Sequence, residues 1–341
     1  MLRRFCSATD VPKAFIPPPP PYPTPRLLDD MMRLNEELRA PREQFKELDT
    51  ILTQLDREVK GRLPITRIAP FGSCSNGLWT KASDVDLTMI IPRCNNKIKI
   101  INKLKTVRSL LSHTMATCMP LEFSVVENAR IPVLKITNKS DSLIREIDIS
   151  VNNLSGIENS LLVKNWCDMD ERFVPLARCI KHWAKKRGIN DRAKGTLSTY
   201  TILLQVVFLL QTRNVIPKFS SYAKSHVLEK NDEFFELNGV ERELPFHVSG
   251  VMQHPRASDR VHDLFAQFFN LFGDDAMQEG IEIVDGEIVS RGNGVLIMRC
   301  PLTGKDVNVM NSSAWNLIHT EYKRARDLIN HGATLDELVS N

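Results

Sequence analysis

Apolar residues lie three or four positions apart along the segment from Leu27 to Lys60. This spacing places them on one face of an amphipathic helix. Pro41 interrupts the run, and a proline inside a helix removes a backbone hydrogen bond, so the sequence predicts two helices rather than one. We expect both to pack beside a sheet that begins at Ile65. The same spacing predicts a third helix over 97–114, whose apolar residues mark its buried face.

Five shorter segments have the apolar content or the alternation of β-strands. They are 65–71, 84–91, 121–126, 130–137 and 143–151. In the last of these segments Asp148 stands among apolar neighbours, and burying a carboxylate without a partner is costly. The pattern therefore predicts a metal ion, an arginine or water next to Asp148.

From residue 155 onward the pattern is mainly helical. The predicted helices are 157–168, 175–187, 197–212 and 261–272, followed by a last helix with Ser312 as its N-cap. A hairpin is predicted over 281–298 around an Asp-Gly turn, and a short strand over 307–310. Residues 214–260 are poorly periodic and are expected to form a variable excursion.

Strands followed by helices predict an α+β chain with two lobes. A chain of 341 residues is long enough for two ordinary domains. We place a presequence and a proline-rich linker at 1–25, a first domain at 26–152 and a second, mostly helical domain at 153–341.

Composition narrows the class of protein only modestly. The chain has 45 basic and 41 acidic residues, so any nucleic-acid contact is expected to come from local patches. Its seven cysteines lack the spacing of a zinc site, which is typical of reduced thiols in a reducing compartment. No apolar run approaches the ~20 residues that span a bilayer, so no membrane partner is expected.

The first nine residues are basic, contain Ser and Thr, and lack acidic side chains. This composition is typical of a mitochondrial presequence and predicts a location in the mitochondrial matrix. The alternative is an ordinary terminus on a cytoplasmic protein.

The strongest chemical signal lies between two predicted strands. Gly72 and Ser73 end the first strand, and Asp84 and Asp86 open the second. Residues two apart on a strand share a face, so both carboxylates are expected to point the same way. Paired carboxylates repel each other unless a cation lies between them, and their oxygens suit Mg²⁺. The Gly-Ser turn can bring a backbone N–H and a hydroxyl close to the phosphates of a nucleotide.

Two later segments extend this site. Asp148 supplies a third carboxylate, and with Asp84 and Asp86 it would complete a site for two Mg²⁺ (or Mn²⁺) ions, which stabilise the attacking and leaving oxygens of an in-line displacement. Lys181 and Lys185 lie four residues apart on a predicted helix and so share a face. That pair would neutralise a triphosphate, or it is an ordinary exposed face.

The order of these motifs resembles that of the DNA polymerase β-type nucleotidyltransferases, and within them the terminal uridylyltransferases and stand-alone poly(A) polymerases. The resemblance runs from about residue 65 to residue 328. It includes Gly72-Ser73, Asp84-x-Asp86, Asp148-Ile149-Ser150, Asn159-Ser160, the lysine helix and Gly195-Thr196-Leu197-Ser198-Thr199-Tyr200. The basic start and the length are similar to those of the trypanosomatid mitochondrial uridylyltransferases. The resemblance implies a polymerase β-like domain, with a mixed sheet and helices on one side, plus a mostly helical nucleotide-base-binding domain, and a triphosphate in the cleft between them.

The resemblance also implies a role for each motif residue. Asp84, Asp86 and Asp148 would hold the metal ions, and Asp148 would take the proton of the RNA 3′-hydroxyl. The implied nucleotide contacts are Gly72, Ser73, Asn159, Ser160, Lys181, Lys185, Ser198, Thr199, Tyr200 and Asp306. Among them Asn159 would read the ribose, Ser160 would lie near the sugar or the base edge, and Tyr200 would stack on the base.

The implied activity is template-independent transfer of UMP from UTP to the 3′ end of single-stranded RNA. Mitochondrial RNA processing is the expected setting, with an RNA-editing (editosome-like) protein complex as the expected partner. Lys186, Arg187 and Arg192 are expected to contact the RNA backbone. The alternatives are a stand-alone poly(A) polymerase and a non-catalytic RNA-binding or scaffold relative.

The chain departs from the uridylyltransferase pattern where the base is read. In that family an Asp-Pro-x-Glu segment helps to recognise the uracil edge, whereas Cys300 and Thr303 stand in place of the two acids here. We expect Asp306 or Arg299 to substitute for them. Asn308 is the nearest candidate for the choice between ATP and UTP.

Overall fold

The computed structural model describes residues 24–64, 66–115, 120–220, 247–248 and 259–340. Within these ranges the chain forms two compact units. We call residues 35–174 the sheet unit. Residues 24–34, 175–220, 247–248 and 259–340 form what we call the helical unit.

The first helix of the described residues is α1 (Pro25–Leu38), which runs into the sheet unit. The further elements of that unit are α2 (Arg42–Arg62), β1 (Arg67–Phe71), α3 (Ser73–Asn76), β2 (Val85–Ile90), α4 (Lys97–Thr114), β3 (Leu121–Val126), β4 (Val133–Asn138), β5 (Glu146–Val151) and α5 (Leu154–Met169). The five predicted strands and the helix over 97–114 are thereby confirmed. The four-residue helix α3 was not predicted.

The sheet has the strand order β1-β2-β5-β4-β3. Strands β2 and β5 are parallel, and the other neighbouring pairs are antiparallel. The predicted mixed sheet is therefore confirmed. Its one parallel pair lies at the centre, so β2 and β5 carry neighbours on both sides.

One face of the sheet is covered by helices α2 and α4. Alternate residues of β2, such as Val85 and Leu87, are fully buried in a core shared with Leu55 of α2 and Leu104 of α4. A strand places successive side chains on opposite faces, so the residues between these apolar ones point to the other face of the sheet. The core thus fixes which way Asp86 points.

The exit of β5 is tied to the exit of β2 by an asparagine. Asn152 has a left-handed backbone (φ +53°), which asparagine adopts more readily than most residues. Its side-chain oxygen accepts a hydrogen bond from the Ile91 N–H at 2.8 Å, and its Nδ2 donates to the carbonyls of Ile91 and Cys94. The next residue, Asn153, caps α5 by accepting from the Gly156 N–H. These contacts fix where α5 starts relative to the two central strands.

The helical unit holds most of α6 (Phe173–Lys186), which begins at the last two residues of the sheet unit. It continues with α7 (Thr199–Thr212), β6 (Phe219–Ser220), β7 (His247–Val248), α8 (Val261–Phe272), β8 (Ile281–Val284), β9 (Glu287–Arg291), β10 (Ile297–Met298), α9 (Ser312–Asn330) and α10 (Leu335–Val339). The predicted hairpin is confirmed, since Asp285 and Gly286 both have positive φ between β8 and β9.

Aromatic residues form the core of the helical unit. The ring of Trp183 stacks on Tyr322 with centroids 5.4 Å apart and meets Phe269 edge-on at 4.6 Å. The buried hydroxyl of Tyr322 donates to Gln205 Oε1 at 2.8 Å, which satisfies its polar end. The four phenylalanines of α8 are all fully buried and belong to this core: Phe265, Phe268, Phe269 and Phe272.

Three predictions about elements were wrong. No strand forms over 307–310, and the nearest strand-like contact is an isolated bridge between Arg299 and Asp306, just before this segment. The N-cap of α9 is Asn311, whose side chain accepts from the Ala314 N–H at 2.8 Å, and Ser312 is the first helical residue. Helix α1 does not join the sheet along its whole length, since residues 25–34 belong to the helical unit, where Cys179 Sγ donates to the Met31 carbonyl.

The compact units do not end where the predicted domains end. Helix α5, which follows the predicted boundary at residue 152, packs on β1 and α3. The packing is so close that a Cβ at Gly156 would lie 2.8 Å from the Phe71 ring. The division into functional domains stays a prediction. The presequence, most of the linker and most of the excursion over 214–260 lie outside the described residues.

Membrane-spanning helices were also sought. Over the ranges given above, no helix combines the length and apolarity needed to cross a bilayer.

The core of the sheet unit makes a direct prediction. Leu104→Ala should lower the free energy of unfolding by about 2–5 kcal/mol, because a fully buried leucine leaves a cavity. Leu143→Ala is the matched control in the same unit, since its side chain is 45% exposed and its loss should cost less than about 1 kcal/mol. Urea unfolding of both variants provides the measurement. An equal loss in the free energy of unfolding would show that α4 does not bury the face of the sheet.

Candidate active site

Two of the three predicted acids lie side by side at the centre of the sheet. In the parallel pairing of β2 with β5, Asp86 is directly opposite Asp148. Neighbouring strands are about 4.8 Å apart, so the two side chains leave the same face within reach of one ion. Asp84 precedes β2 by one residue and is exposed, so it belongs to the loop rather than to the predicted strand.

Asp86 lies against the glycine turn. Gly72 has φ +70°, and a Cβ at this position would be 2.2 Å from Asp86 Oδ2. Only glycine leaves room for the carboxylate here. Gly72 and the Asp86 carboxylate are therefore close neighbours, and the predicted approach of the Gly-Ser turn to phosphates stays a prediction.

Next to this turn, burial and then the charge of Asp86 raise the pKa of the Cys74 thiol to about 12. Cys74 Sγ lies 3.1 Å from the carbonyl oxygen of Phe71. The thiol therefore stays protonated at neutral pH, and Cys74 is an unreactive neighbour of the acids.

Asp148 is held in a partly desolvated position. Its Oδ1 is buried and has no hydrogen-bond partner among the residues that the structure describes. The nearest cation is the Nζ of Lys135 at 3.6 Å, which is too long for a hydrogen bond. Burial raises the pKa of Asp148, Lys135 opposes that shift, and the charge of Asp84 adds to it. The negative charge of the Asp148 carboxylate is therefore only partly balanced by the charge of Lys135.

This donor set fits a divalent cation. An orphaned buried carboxylate oxygen, a second carboxylate in register and a third on the adjoining loop are the hard oxygen ligands that Mg²⁺ and Mn²⁺ take. The side chains are nevertheless not gathered: across the described part of the chain, no three Asp, Glu, His or Cys side chains lie close enough to hold an ion. Carboxylates repel each other when no cation is between them. Metal binding by Asp84, Asp86 and Asp148 stays a prediction.

Ser160 contacts the glycine turn, and its expected place near the sugar or the base edge stays a prediction. Its Oγ accepts a hydrogen bond from the Gly72 N–H at 2.7 Å and donates to the Gly156 carbonyl at 2.6 Å. The buried hydroxyl therefore ties α5 to the glycine turn, and the Gly72 N–H is already occupied. Ser73 is the first residue of α3, and Asn159 is half-buried on α5 next to Ser160.

The two predicted phosphate lysines lie on α6 in the helical unit. Lys181 is half-buried and Lys185 is exposed one turn later, so they share a face of the helix as expected. Arg187 is engaged within its own unit, and its expected contact with the RNA backbone stays a prediction. Its guanidinium pairs with Glu321 at 2.8 Å and donates to the Ser340 carbonyl, so it holds the end of α10.

The predicted base-stacking segment starts α7. Ser198 caps this helix by accepting from the Thr201 N–H at 3.0 Å, and Thr199 Oγ1 lies 3.4 Å from Asn190 Oδ1. The hydroxyl of Tyr200 contacts Cys300 Sγ at 3.7 Å. Burial is the main cause of a strongly raised pKa at Tyr200, so the phenol stays neutral.

Both suggested replacements for the missing acids are engaged locally. Asp306 accepts from the Asn308 N–H at 2.8 Å, and Arg299 pairs with Glu282 at 2.7 Å. Asn308 is 1% exposed, with its amide near Thr201 and the Leu296 carbonyl. Asn308 therefore forms its contacts in the interior of the helical unit. No acid stands where the uridylyltransferase pattern has its pair, and recognition of uracil by Asp306, Arg299 or Asn308 stays a prediction.

Sequence reasoning missed Lys135 and Glu146. Both lie on the same face as Asp148, in register on β4 and β5. The alternation of polar and apolar residues in the two predicted strands indicates that both side chains lie on the polar face. Only the pairing of β4 with β5 shows that Lys135 is next to Glu146 and Asp148.

Comparisons with known proteins bear on the whole arrangement. Residues 27–168 match the family described as the central palm domain of mitochondrial-like poly(A) RNA polymerase. The range contains the glycine turn, the three acids and Ser160.

Among curated relatives, poly(A) RNA polymerase GLD2-B of Xenopus laevis is 32% identical over 196 residues, covering 56% of this chain and 37% of the relative. The Homo sapiens GLD2 is 30% identical over 191 residues, covering 55% and 39%. The chain thus spans little more than a third of the length of these relatives.

Solved structures match over nearly the whole chain. A Cid1 poly(U) polymerase variant bound to MgATP has a TM-score of 0.70 at 22% identity, covering 91% of this chain and 97% of the other. The GLD-2/RNP-8 complex gives 0.74 at 20% identity, covering 92% and 97%. The fold is that of a polymerase β-like nucleotidyltransferase. This confirms the predicted fold class, while the resemblance to the terminal uridylyltransferases and to the trypanosomatid mitochondrial enzymes stays a prediction.

The glycine turn of this nucleotidyltransferase fold can be tested directly. Gly72→Ala should weaken Mn²⁺ binding by more than about tenfold, because the new Cβ displaces the Asp86 carboxylate. Gly188→Ala is the matched control, since Gly188 has nearly the same φ (+69°) but nothing within 4 Å of a Cβ. Electron paramagnetic resonance of free Mn²⁺ measures both affinities. An equal loss in the two variants would mean that backbone strain, and not the carboxylate, is responsible.

Proposed function

We propose that the protein is a template-independent RNA 3′-terminal nucleotidyltransferase. It transfers a nucleoside monophosphate from a nucleoside triphosphate to the 3′-hydroxyl of RNA and releases pyrophosphate. The observation that carries this proposal is the register of Asp86 with Asp148 beside the Gly72 turn, within a polymerase β-like nucleotidyltransferase fold.

The three acids divide the work at the reacting centre. Asp84, Asp86 and Asp148 would hold two Mg²⁺ or Mn²⁺ ions, which stabilise the attacking and leaving oxygens of an in-line displacement when bound. Asp148, whose pKa is raised by burial, accepts the proton of the RNA 3′-hydroxyl at its carboxylate. Ser160 keeps the glycine turn in place against Asp86 through the Gly72 N–H.

The helical unit carries further groups whose chemistry suits a nucleotide. Lys181 and Lys185 present two ammonium groups on one helix face, which suits a triphosphate and a departing pyrophosphate. Tyr200 offers a neutral aromatic ring for the base, while Asn159, on α5 of the sheet unit, offers an amide for the ribose. Covalent catalysis is not required, because the charge of the leaving group is met by lysine and metal.

Two nucleotides are candidates for the substrate. UTP is the substrate that the motif order implies, and a poly(U) polymerase is among the similar structures. ATP is the second candidate, favoured by Cys300 and Thr303 at the positions of the uracil-reading acids and by the poly(A) polymerases among the relatives. The RNA 3′ end is the common acceptor in both cases.

The cellular setting is proposed on weaker grounds. The mitochondrial matrix rests on the composition of residues 1–9, and the RNA-editing (editosome-like) complex rests on the family resemblance. Both stay predictions, and neither affects the proposed chemistry.

Extension of a single-stranded RNA with each of the four nucleoside triphosphates in Mg²⁺ tests this function. We expect extension with UTP or ATP, and a loss of more than about 100-fold in Asp86→Asn, since the lost charge is preorganised at the reacting centre. Asp141→Asn is the matched control, because Asp141 is exposed in the same unit. Thermal melting checks that both variants fold.

Each outcome of this assay has a separate meaning. No extension with any nucleotide would contradict the proposed function. A strong preference for ATP would contradict uridylyl transfer alone. Wild-type activity in Asp86→Asn would contradict the role of the acids.

A further inference from the structure

A lysine lies beside the third acid on the neighbouring strand. In the antiparallel pairing of β4 with β5, Lys135 is directly opposite Asp148. Its Nζ donates to Glu146 Oε2 at 2.7 Å and lies 3.6 Å from Asp148 Oδ1. The three side chains share one face of the sheet, because Glu146 and Asp148 are two residues apart on β5.

The two contacts of this ammonium group are unequal. The contact with Glu146 has the length of a charge-assisted hydrogen bond, whereas the contact with Asp148 is an ion contact only. Asp148 Oδ1 is buried and keeps its lone pairs unshared within the described ranges. Lys135 therefore offsets part of the negative charge of Asp148 without donating a hydrogen bond to Oδ1, the oxygen that would bind a cation.

The charges around the ammonium explain why a cation is needed there. Asp84 acts electrostatically on both Lys135 and Asp148, and Glu146 adds a third negative charge. Three carboxylates in one partly desolvated region repel each other when no positive charge is present. A lysine suits this role, since its charge is compact and its stem is flexible.

We propose that Lys135 is a positioning residue that acts as the internal counter-ion of Asp148, and that Glu146 holds its ammonium aside so that the carboxylate stays open to the divalent cation. This inference rests on the proposed function, because it assigns a metal to Asp148. Glu146 then sets the metal affinity without ligating the metal. Without its acceptor, Lys135 would move onto Asp148 and compete with the ion.

A simple ion pair is the competing explanation. Lys135 and Glu146 are each about one-third exposed, and pairs of this kind contribute little to stability. A structural pair predicts small changes in melting temperature and no specific effect on metal affinity. The two explanations therefore differ in metal binding measured without nucleotide.

A double-mutant cycle on Mn²⁺ binding tests the proposal, with electron paramagnetic resonance of free Mn²⁺ as the readout. Glu146→Ala should weaken binding by about tenfold, the usual effect of losing a residue that supports a ligand. Lys135→Met should tighten binding several-fold, because a repelling charge is removed. In the Lys135→Met background, Glu146→Ala should change the affinity less than about twofold, since no ammonium is left to move.

Lys139 and Glu122 provide matched controls for net charge. They form an exposed ion pair between the end of β4 and strand β3. Lys139→Met and Glu122→Ala should leave the Mn²⁺ affinity within about twofold of that of the wild-type protein, because surface charges are screened by salt.

The outcomes separate this inference from the proposed function. An equal loss from Glu146→Ala in both backgrounds would overturn the inference, because it would reflect through-space charge. Unchanged affinity in Glu146→Ala alone would also overturn it, which keeps the test decisive even if Lys135→Met fails to fold. If the wild-type protein binds no Mn²⁺, or if Asp86→Asn leaves binding unchanged, the metal site of the proposed function fails as well.

Discussion

The pairing of β2 with β5 is the constraint on which the rest of the structure depends. Both strands are parallel, central and covered on one face by apolar helices, so their register is fixed by the core. That register sets Asp86 opposite Asp148 on the other face. A shift of either strand by one residue would turn its acid into the core and expose its apolar residues instead. The core and the candidate active site are therefore two consequences of one alignment.

The neighbouring elements follow from the need to manage charge at this position. Gly72 leaves space for the Asp86 carboxylate, and Ser160 holds the glycine turn through its N–H. On the other side, Lys135 offsets the charge of Asp148 while remaining bonded to Glu146. Desolvated carboxylates are costly unless they are paired, so an arrangement that keeps one oxygen uncompensated is poorly explained by stability alone. The proposed binding of a divalent cation would explain it.

The periodicity of the sequence was sufficient to predict the strands and most helices, because their apolar faces are long and regular. It also indicated Asp84 and Asp86 through the local Gly-Ser and Asp-x-Asp patterns, and Asp148 through its place among apolar neighbours. Contacts between distant segments could not be derived in this way. The bond of Ser160 to Gly72 joins residues 88 positions apart, and that of Arg187 to Glu321 joins residues 134 positions apart. Asn311 and Ser312 both belong to the residue types preferred at the N-cap of a helix, so the sequence does not distinguish them. The backbone geometry of α9 identifies Asn311 as the N-cap.

The central claim is that the face of β2 and β5 holds metal ions. A crystal structure with Mn²⁺ and a non-hydrolysable nucleoside triphosphate, analysed by anomalous scattering at the manganese edge, tests it most directly. The account predicts two peaks about 3.5–4 Å apart, bound by Asp84, Asp86 and Asp148, with the ammonium of Lys135 still on Glu146. Manganese bound elsewhere, with Asp86 and Asp148 free of metal, would contradict it.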